Sequence, residues 1–199
     1  MRKFGLIGFP LTHSFSKKYF TEKFEKQQIL DCKYDLYSIA DAKEMIDLIE
    51  REPALCGLNV TIPHKLNVIS FLNEIDSSAK EIGAVNCIAI NQNEGAAFLK
   101  GYNTDVYGFE ESLKPLLEVQ HQKALIFGNG GAAQAVKYVL KQLNIPYLVV
   151  VRNPSPGAIL YSAITKEILA DYKLLINTTP LGMLPNLASY PPIPYQFLD

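Results

Sequence analysis

The 199-residue chain has little of what would tie it to a membrane, a nucleic acid or a metal. No apolar run approaches the roughly 20 residues that cross a bilayer. Neither sign of charge dominates: 19 basic and 20 acidic residues are well mixed and leave a net charge of −1, with no electrostatic footprint for nucleic acid. Cysteine is scarce. Cys32, Cys56 and Cys87 are odd in number, far apart and without metal-ligand spacing, so they read as reduced cysteines in or near the core, and no metal is expected. The first residues run directly into a strand-like segment with no signal-peptide pattern, which sets the expectation of a cytoplasmic protein; a monomer or homodimer acting on a small molecule is expected. There is no internal repeat and no low-complexity tract. What remains is ordinary globular composition, 48% hydrophobic and 20% charged, long enough for one or two domains with a substantial core.

Strand and helix patterns alternate along the first hundred residues. Lys3–Phe9 reads as a short apolar strand, and Ser16–Gln28 as an amphipathic helix with Tyr19, Phe20 and Phe24 on one face. Lys33–Ile39 alternates like a strand, and Asp41 is placed to cap a helix running to about Arg51. Leu55–Val60 is the next strand, followed by short helices around Leu66–Leu72 and Ser77–Ile82. Val85–Ile90 and Ala96–Lys100 form a hairpin about Gln92-Asn93-Glu94-Gly95, and Asp105–Leu116 reads as a connecting helix. From about Gln120 the pattern is β-α-β-α-β: Ala124–Phe127, Ala132–Leu143, Tyr147–Val151, Thr165–Ala170 and Leu174–Asn177. That is one mononucleotide-binding half of a doubly wound sheet. After Leu184 the chain is rich in proline.

The densest chemistry lies in Asn59-Val60-Thr61-Ile62-Pro63-His64-Lys65. An apolar strand delivers an amide, a hydroxyl and an ammonium to the mouth of a sheet, where α/β proteins hold their ligands. Pro63 stops the strand and stiffens the turn. A lysine there can act as a general acid or base if its surroundings bring its pKa toward the working pH; read alone, Lys65 is equally a solvated lysine after a turn. His13-Ser14-Phe15-Ser16 places two hydroxyls just before a helix, where they hold a small anion or simply cap the helix. Gly83-Ala84-Val85-Asn86 sets an amide at a strand start, and Asn103-Thr104-Asp105 a carboxylate at a helix start.

Gly128-Asn129-Gly130-Gly131-Ala132-Ala133 fits G-x-G-x-x-A between a strand and a helix. Gly128 makes the tight turn, Gly130 leaves room for a pyrophosphate, and Ala133 lets helix and strand pack closely. The second strand ends in Val151-Arg152-Asn153-Pro154-Ser155, with no carboxylate to hold ribose hydroxyls. Arg152 there can hold a 2′-phosphate by charge-assisted hydrogen bonds, which points to NADP, or face solvent.

Together these motifs resemble the shikimate dehydrogenase family. The matching pieces are Ser14-Phe15-Ser16, Asn59 through Lys65, Gly83 through Asn86, Asn103-Thr104-Asp105, Gly128 through Ala133, and Asn177-Thr178-Thr179-Pro180-Leu181-Gly182-Met183, in order over residues 1 to about 183. The resemblance implies an α/β substrate domain (1–104), a connecting helix (105–119) and a Rossmann-type NADP-binding domain (120–199), with the site in the cleft between domains. It also implies reversible reduction of 3-dehydroshikimate to shikimate in aromatic amino-acid biosynthesis. Carried over, Ser14 and Ser16 hold the substrate carboxylate. Thr61, Asn86 and Asp105 bind ring hydroxyls and the reacting oxygen, Asn59 buttresses the site, and Lys65 is the acid/base with Asp105 beside it. Gly128, Asn129, Gly130, Gly131 and Ala132 hold the pyrophosphate, Arg152 and Asn153 the 2′-phosphate side. Thr178, Thr179, Pro180, Gly182 and Met183 lie near the nicotinamide.

Two departures stand out. The family's usual Asn-Arg-Thr plus a further basic residue is replaced here by Val151-Arg152-Asn153-Pro154-Ser155. The family also continues with further Rossmann strands, a substrate-touching glutamine and a returning helix outside these 199 residues, so the second domain reads as lacking its C-terminal part and leaves an open sheet edge after Leu174–Asn177. Rival readings are a quinate dehydrogenase using NAD and a non-catalytic binding protein or inactive fragment of the same fold. A folate-pathway dehydrogenase fits Ser14-Phe15-Ser16 and Asn103-Thr104-Asp105 poorly.

Overall fold

A computed structural model describes residues 1–12, 14–93 and 96–198. His13, and Glu94 and Gly95 of the expected hairpin turn, lie outside the described residues. The chain divides into two compact units, Met1–Thr104 and Asp105–Asp199.

The first unit is built on a mixed sheet. Its elements run β1 (Arg2–Gly8), α1 (Ser16–Lys26), β2 (Cys32–Ser38), α2 (Glu44–Arg51), β3 (Leu55–Val60), a 3-10 turn at Asn67–Phe71, β4 (Glu74–Ile75), α3 (Ser77–Ile82), β5 (Cys87–Asn93) and β6 (Ala96–Tyr102). The strand order is β2-β1-β3-β5-β6-β4. β1 runs parallel to both β2 and β3, whereas β5 is antiparallel to β3 and β6. Side chains of β1 alternate between two buried clusters. Leu6 packs with Leu11, Tyr34, Phe20 and Phe24 toward α1, and Ile7 joins Met45, Leu55, Leu58, Val68 and Ile88 toward α2. Burying one such aliphatic side chain contributes about 1.5–3 kcal/mol.

The helices follow the same logic. Met45, Leu48 and Ile49 of α2, at the i, i+3, i+4 spacing, are the buried face. On α1, Phe20 and Phe24 face the sheet, but Tyr19 is 46% exposed and meets Phe15, Lys23 and the edge of Phe20. One residue is a 100° step on a helix, so Tyr19 and Phe20 do not share an inward face. Asp41 is not the helix cap: α2 starts at Glu44, and Asp41 Oδ1 accepts from the Lys43 N–H while Glu44 Oε1 accepts from Ala40 and Asp41 N–H, closing a turn ahead of the helix. The short helix expected around Leu66–Leu72 is the 3-10 helix Asn67–Phe71.

The second unit runs α4 (Asp105–Leu113), β7 (Ala124–Phe127), α5 (Gly131–Gln142), β8 (Tyr147–Val151), β9 (Ala158–Leu160), α6 (Lys166–Asp171) and β10 (Leu174–Asn177). Beyond Leu113, α4 tightens into a 3-10 turn with Pro115, which cannot donate to a continuing helix. The four strands are parallel in the order β10-β7-β8-β9. β7 is buried at every position. Ala124 and Ile126 pack against α5, and Leu125 and Phe127 against Leu169 and Ile193 on the other face. A central parallel strand covered on both faces needs such an unbroken apolar run. Val106, Phe109 and Leu113 of α4 pack into the α5 side of this core. β9 was not expected from sequence. It is three residues long and follows β8 through a short return at 152–157 that includes Gly157 at φ +71°, with no crossover helix to announce it. β10 is an edge of this sheet among the described residues.

Candidate active site

In the first unit, topology gathers the polar motifs at one sheet edge. β1 and β3 are adjacent and parallel, so the segments after Gly8 and Val60 leave from the same end. β5 is antiparallel and starts opposite Asn59, which brings Asn86 to that end, and Tyr102 pairs with Cys87, so residues 103–104 leave there too. Ser14, Ser16, Asn59, Thr61, Lys65 and Asn86 thus share one edge.

Backbone bonds lock this edge. Thr61 N–H donates to Ile7 O at 2.9 Å, His64 N–H to Thr61 O at 2.9 Å, Val85 N–H to Lys65 O at 2.8 Å and Val60 N–H to Asn86 O at 2.8 Å. Phe9 N–H reaches Ile62 O at 3.0 Å, and a side chain at Gly8 would overlap Thr61 Cγ2, so glycine is what lets the two loops lie together. His64 is 1% exposed, and its Nε2 lies 2.8 Å from Ile39 O, tying the lysine-bearing turn to the end of β2.

The side chains are held as firmly. Asn86 Oδ1 accepts from Thr104 N–H at 2.8 Å while its Nδ2 donates to Thr104 Oγ1 at 3.0 Å. Asn103 Nδ2 donates to Ala84 O at 2.9 Å. Ser14 Oγ accepts from Ser16 N–H at 3.3 Å, a bond at the start of α1, whose N-cap residue Phe15 offers no side-chain cap. The local capping alternative therefore holds for Ser14. The Tyr34 hydroxyl donates to Asn59 Oδ1 at 2.8 Å. Burial pushes the Tyr34 phenol up to about 12, against the lowering effect of Ser16. Tyr34 is a site residue that sequence reading missed, because nothing in its local pattern distinguishes it from a core tyrosine.

The second unit carries its own constellation at the C-terminal ends of β7, β8 and β10. β7 and β10 are neighbours whose connections leave to opposite sides, the switch point where α/β sheets take ligands. Gly128, at φ +105°, turns the chain out of β7 against Thr178, whose Oγ1 donates to Phe127 O at 2.7 Å. Gly130 is the N-cap of α5 with no side-chain cap, and a Cβ there would meet nothing within 4 Å. An uncapped helix start with an open approach is the cradle a pyrophosphate needs, so Gly128, Gly130, Gly131 and Ala132 fit NADP. Asn129 accepts from Lys137 Nζ at 2.5 Å and Gln134 Nε2 at 3.4 Å, fixing the loop to α5. Burial pushes the Lys137 ammonium down.

Arg152 and Asn153 are exposed at the end of β8, a position open to a 2′-phosphate. After β10, Asn177 Oδ1 accepts from Thr179 N–H at 3.0 Å and Thr179 Oγ1 at 2.6 Å, and Asn177 Nδ2 donates to Leu181 O at 2.9 Å. Gly182 takes φ +86°, and Met183 N–H donates to Pro180 O at 3.1 Å. The Thr178–Met183 loop is thus shaped by Asn177, with Met183 58% exposed. Asp105 is the first residue of α4 and belongs to this second unit. Among the described residues, no three His, Cys, Asp or Glu side chains group as metal ligands, and no helix is long and apolar enough to cross a membrane.

Residues 6–88 match the family model for the shikimate dehydrogenase substrate binding domain. The shikimate dehydrogenase (NADP(+)) of Methanosphaera stadtmanae is 34% identical over 208 residues, covering 95% of this chain and 71% of that protein. Among solved structures, shikimate dehydrogenase 1 of Peptoclostridium difficile aligns with a TM-score of 0.81 at 30% identity over 99% of this chain and 74% of that one. The Thermus thermophilus shikimate 5-dehydrogenase in complex with NADP(H) and shikimate aligns with a TM-score of 0.79 at 28% identity over 100% and 76%. With this likeness along nearly the whole chain, the protein belongs to the shikimate dehydrogenase family.

Proposed function

We propose that the chain is an NADP-dependent shikimate dehydrogenase, reducing 3-dehydroshikimate reversibly to shikimate in aromatic amino-acid biosynthesis. The observation that carries this is the shared sheet edge of the first unit. Two serines, three amide or hydroxyl side chains and one lysine stand there on backbone-locked loops. The relatives' names, and the neighbour bound to NADP(H) and shikimate, support the same reading.

We assign the motifs of Met1–Thr104, together with Asp105, to substrate and the glycine loop and strand ends of the second unit to NADP. Ser14 and Ser16 take the carboxylate, Thr61 and Asn86 the ring hydroxyls, and Asn59 an adjoining oxygen. Lys65 is the acid/base, with Asp105 holding the reacting hydroxyl. Gly128 to Ala132 take the pyrophosphate, Arg152 and Asn153 the 2′-phosphate, and Thr178, Thr179, Pro180, Gly182 and Met183 line the nicotinamide side. NADPH supplies the hydride when bound. Negative charge then grows on the carbonyl oxygen, and the Lys65 ammonium stabilises it and donates the proton. In the oxidative direction the neutral amine takes that proton back. The three cysteines are all free of disulfides, consistent with a cytoplasmic setting.

The test is absorbance at the reduced-nicotinamide band, with purified 199-residue protein, shikimate, and NADP or NAD in parallel. NADP-preferring turnover is the expected result. Turnover with quinate and NAD instead would replace this reading, and folded protein that binds shikimate without turnover would leave a binding protein.

A further inference from the structure

We propose that Tyr34 is a positioning residue that fixes the Asn59 amide, so that the substrate corner offers N–H donors there and receives an acceptor-rich group such as a carboxylate. This rests on the reading that Asn59 meets substrate. The Tyr34 ring belongs to the apolar cluster of Leu6 and Leu11 and stacks on Phe20, with centroids 4.4 Å apart and planes at 12°. Tyr34 is only 3% exposed, so the ring is immobile and its hydroxyl oxygen is a fixed point.

A phenol has one hydrogen. Here it is given to Asn59 Oδ1 at 2.8 Å. The bond therefore runs one way, Tyr34 to Asn59, joining β2 to β3. Accepting that hydrogen on Oδ1 fixes which end of the Asn59 amide faces Tyr34, so its Nδ2 hydrogens are the end left to offer a ligand, and a carboxylate is a strong acceptor for them. Burial also keeps the phenol protonated across the working range, so the direction does not change with pH.

Tyr34→Phe tests this, because it keeps the stacked ring and removes only the hydroxyl. Shikimate and NADP binding are each titrated by calorimetry, which does not depend on turnover. The expected result is shikimate affinity weaker by about tenfold with NADP affinity unchanged, a split that general loss of structure would not produce. In an Asn59→Ala background the same change is expected to add little. Asn59→Asp gives a second test that leaves Tyr34 intact: it keeps the acceptor for Tyr34 but replaces the N–H donors with an anion, so it weakens shikimate binding more than Asn59→Ala does. Unchanged shikimate affinity in Tyr34→Phe, full additivity with Asn59→Ala, or Asn59→Asp binding as well as Asn59→Ala would each overturn the proposal while leaving the site assignment in place. No shikimate binding by the unsubstituted protein would overturn the site assignment and the proposal together.

Discussion

Gly128 and Gly130 stand two residues apart in one loop, and the structure gives them opposite reasons for being glycine. Gly128 sits at φ +105°, a region that L side chains rarely adopt. A Cβ there would lie 2.8 Å from Thr178 Oγ1 and 3.0 Å from Thr179 Cγ2. The dihedral strain costs about 1–3 kcal/mol, and crowding the β10 loop costs about 1–3 kcal/mol more. Gly128→Ala is therefore expected to lose about 2–6 kcal/mol of stability. At roughly 2–4 °C per kcal/mol for a chain of this size, the melting temperature falls by about 4–24 °C.

Gly130 has φ −86° and ψ −167°, which alanine adopts freely, and its added methyl would meet nothing within 4 Å. The weaker N-cap costs a few tenths of a kcal/mol to about 1, and the stiffer unfolded chain returns a similar amount, so Gly130→Ala leaves the melting temperature within about 3 °C. The methyl does occupy the approach to the α5 N-terminus. Losing one charge-assisted backbone contact costs about 1.5–3 kcal/mol, which is a roughly tenfold to 150-fold rise in the KM for NADPH. Differential scanning fluorimetry and NADPH titration on the two variants read both quantities. Gly130→Ala with ordinary NADPH affinity would refute the cradle, and a Gly128→Ala protein as stable as its parent would refute the strain argument.

Three further outcomes can be measured on the same protein. Lys65→Ala is expected to lower kcat by at least about a hundredfold while shikimate binding changes only a few-fold, and near-normal turnover would remove the acid/base role. Arg152→Gln should shrink the preference for NADP over NAD by about tenfold to a hundredfold with KM for NAD unchanged; an equal loss with both cofactors would place Arg152 elsewhere. Asp76 caps α3: its carboxylate accepts from the Ser78 hydroxyl at 2.5 Å and the Ser78 N–H at 3.0 Å, and these bonds hold it below the usual carboxylate range. A depressed carboxylate contributes stability above its ordinary pKa and loses it as pH falls through the folded value. Denaturation of Asp76→Asn and parent should therefore differ at pH 6 and converge toward pH 2, and a gap that persists in acid would show that the cap does not act through charge.

The strands that carry the site were legible because each is an unbroken apolar run that ends in an abrupt polar cluster. Ala124–Phe127, Tyr147–Val151 and Leu174–Asn177 stand at the bounds their composition indicates. Elements whose existence depends on partners were not legible. β9 and β4 are three and two residues long and are strands only because Val149–Val151 and Lys100–Gly101 lie beside them. The Asp41 turn, the 3-10 segment at Asn67–Phe71 and the outward Tyr19 show the same limit at finer scale: composition supports a helix there, and the neighbouring backbone decides its pitch, start and face.

The candidate site divides along the same line. Residues that would touch ligand could be read because they cluster in short motifs, Ser14 with Ser16 and Asn59 with Thr61 and Lys65. The residues that hold them in place are distant in sequence or lack chemistry of their own in isolation. Tyr34 meets Asn59 across 25 positions, Thr104 meets Asn86 across 18, and His64 meets Ile39 across 25. Each bond joins segments on different strands, so it exists only once the sheet order β2-β1-β3-β5-β6 has formed. That dependence has a physical consequence. The sheet edge presents its polar groups already oriented, so binding need not spend free energy ordering them. Disturbing register between β1 and β3 would scatter Ser16, Asn59 and Asn86 together rather than one at a time. Loss of substrate affinity with β3 core variants such as Leu58→Ala should therefore exceed what their distance from the ligand suggests.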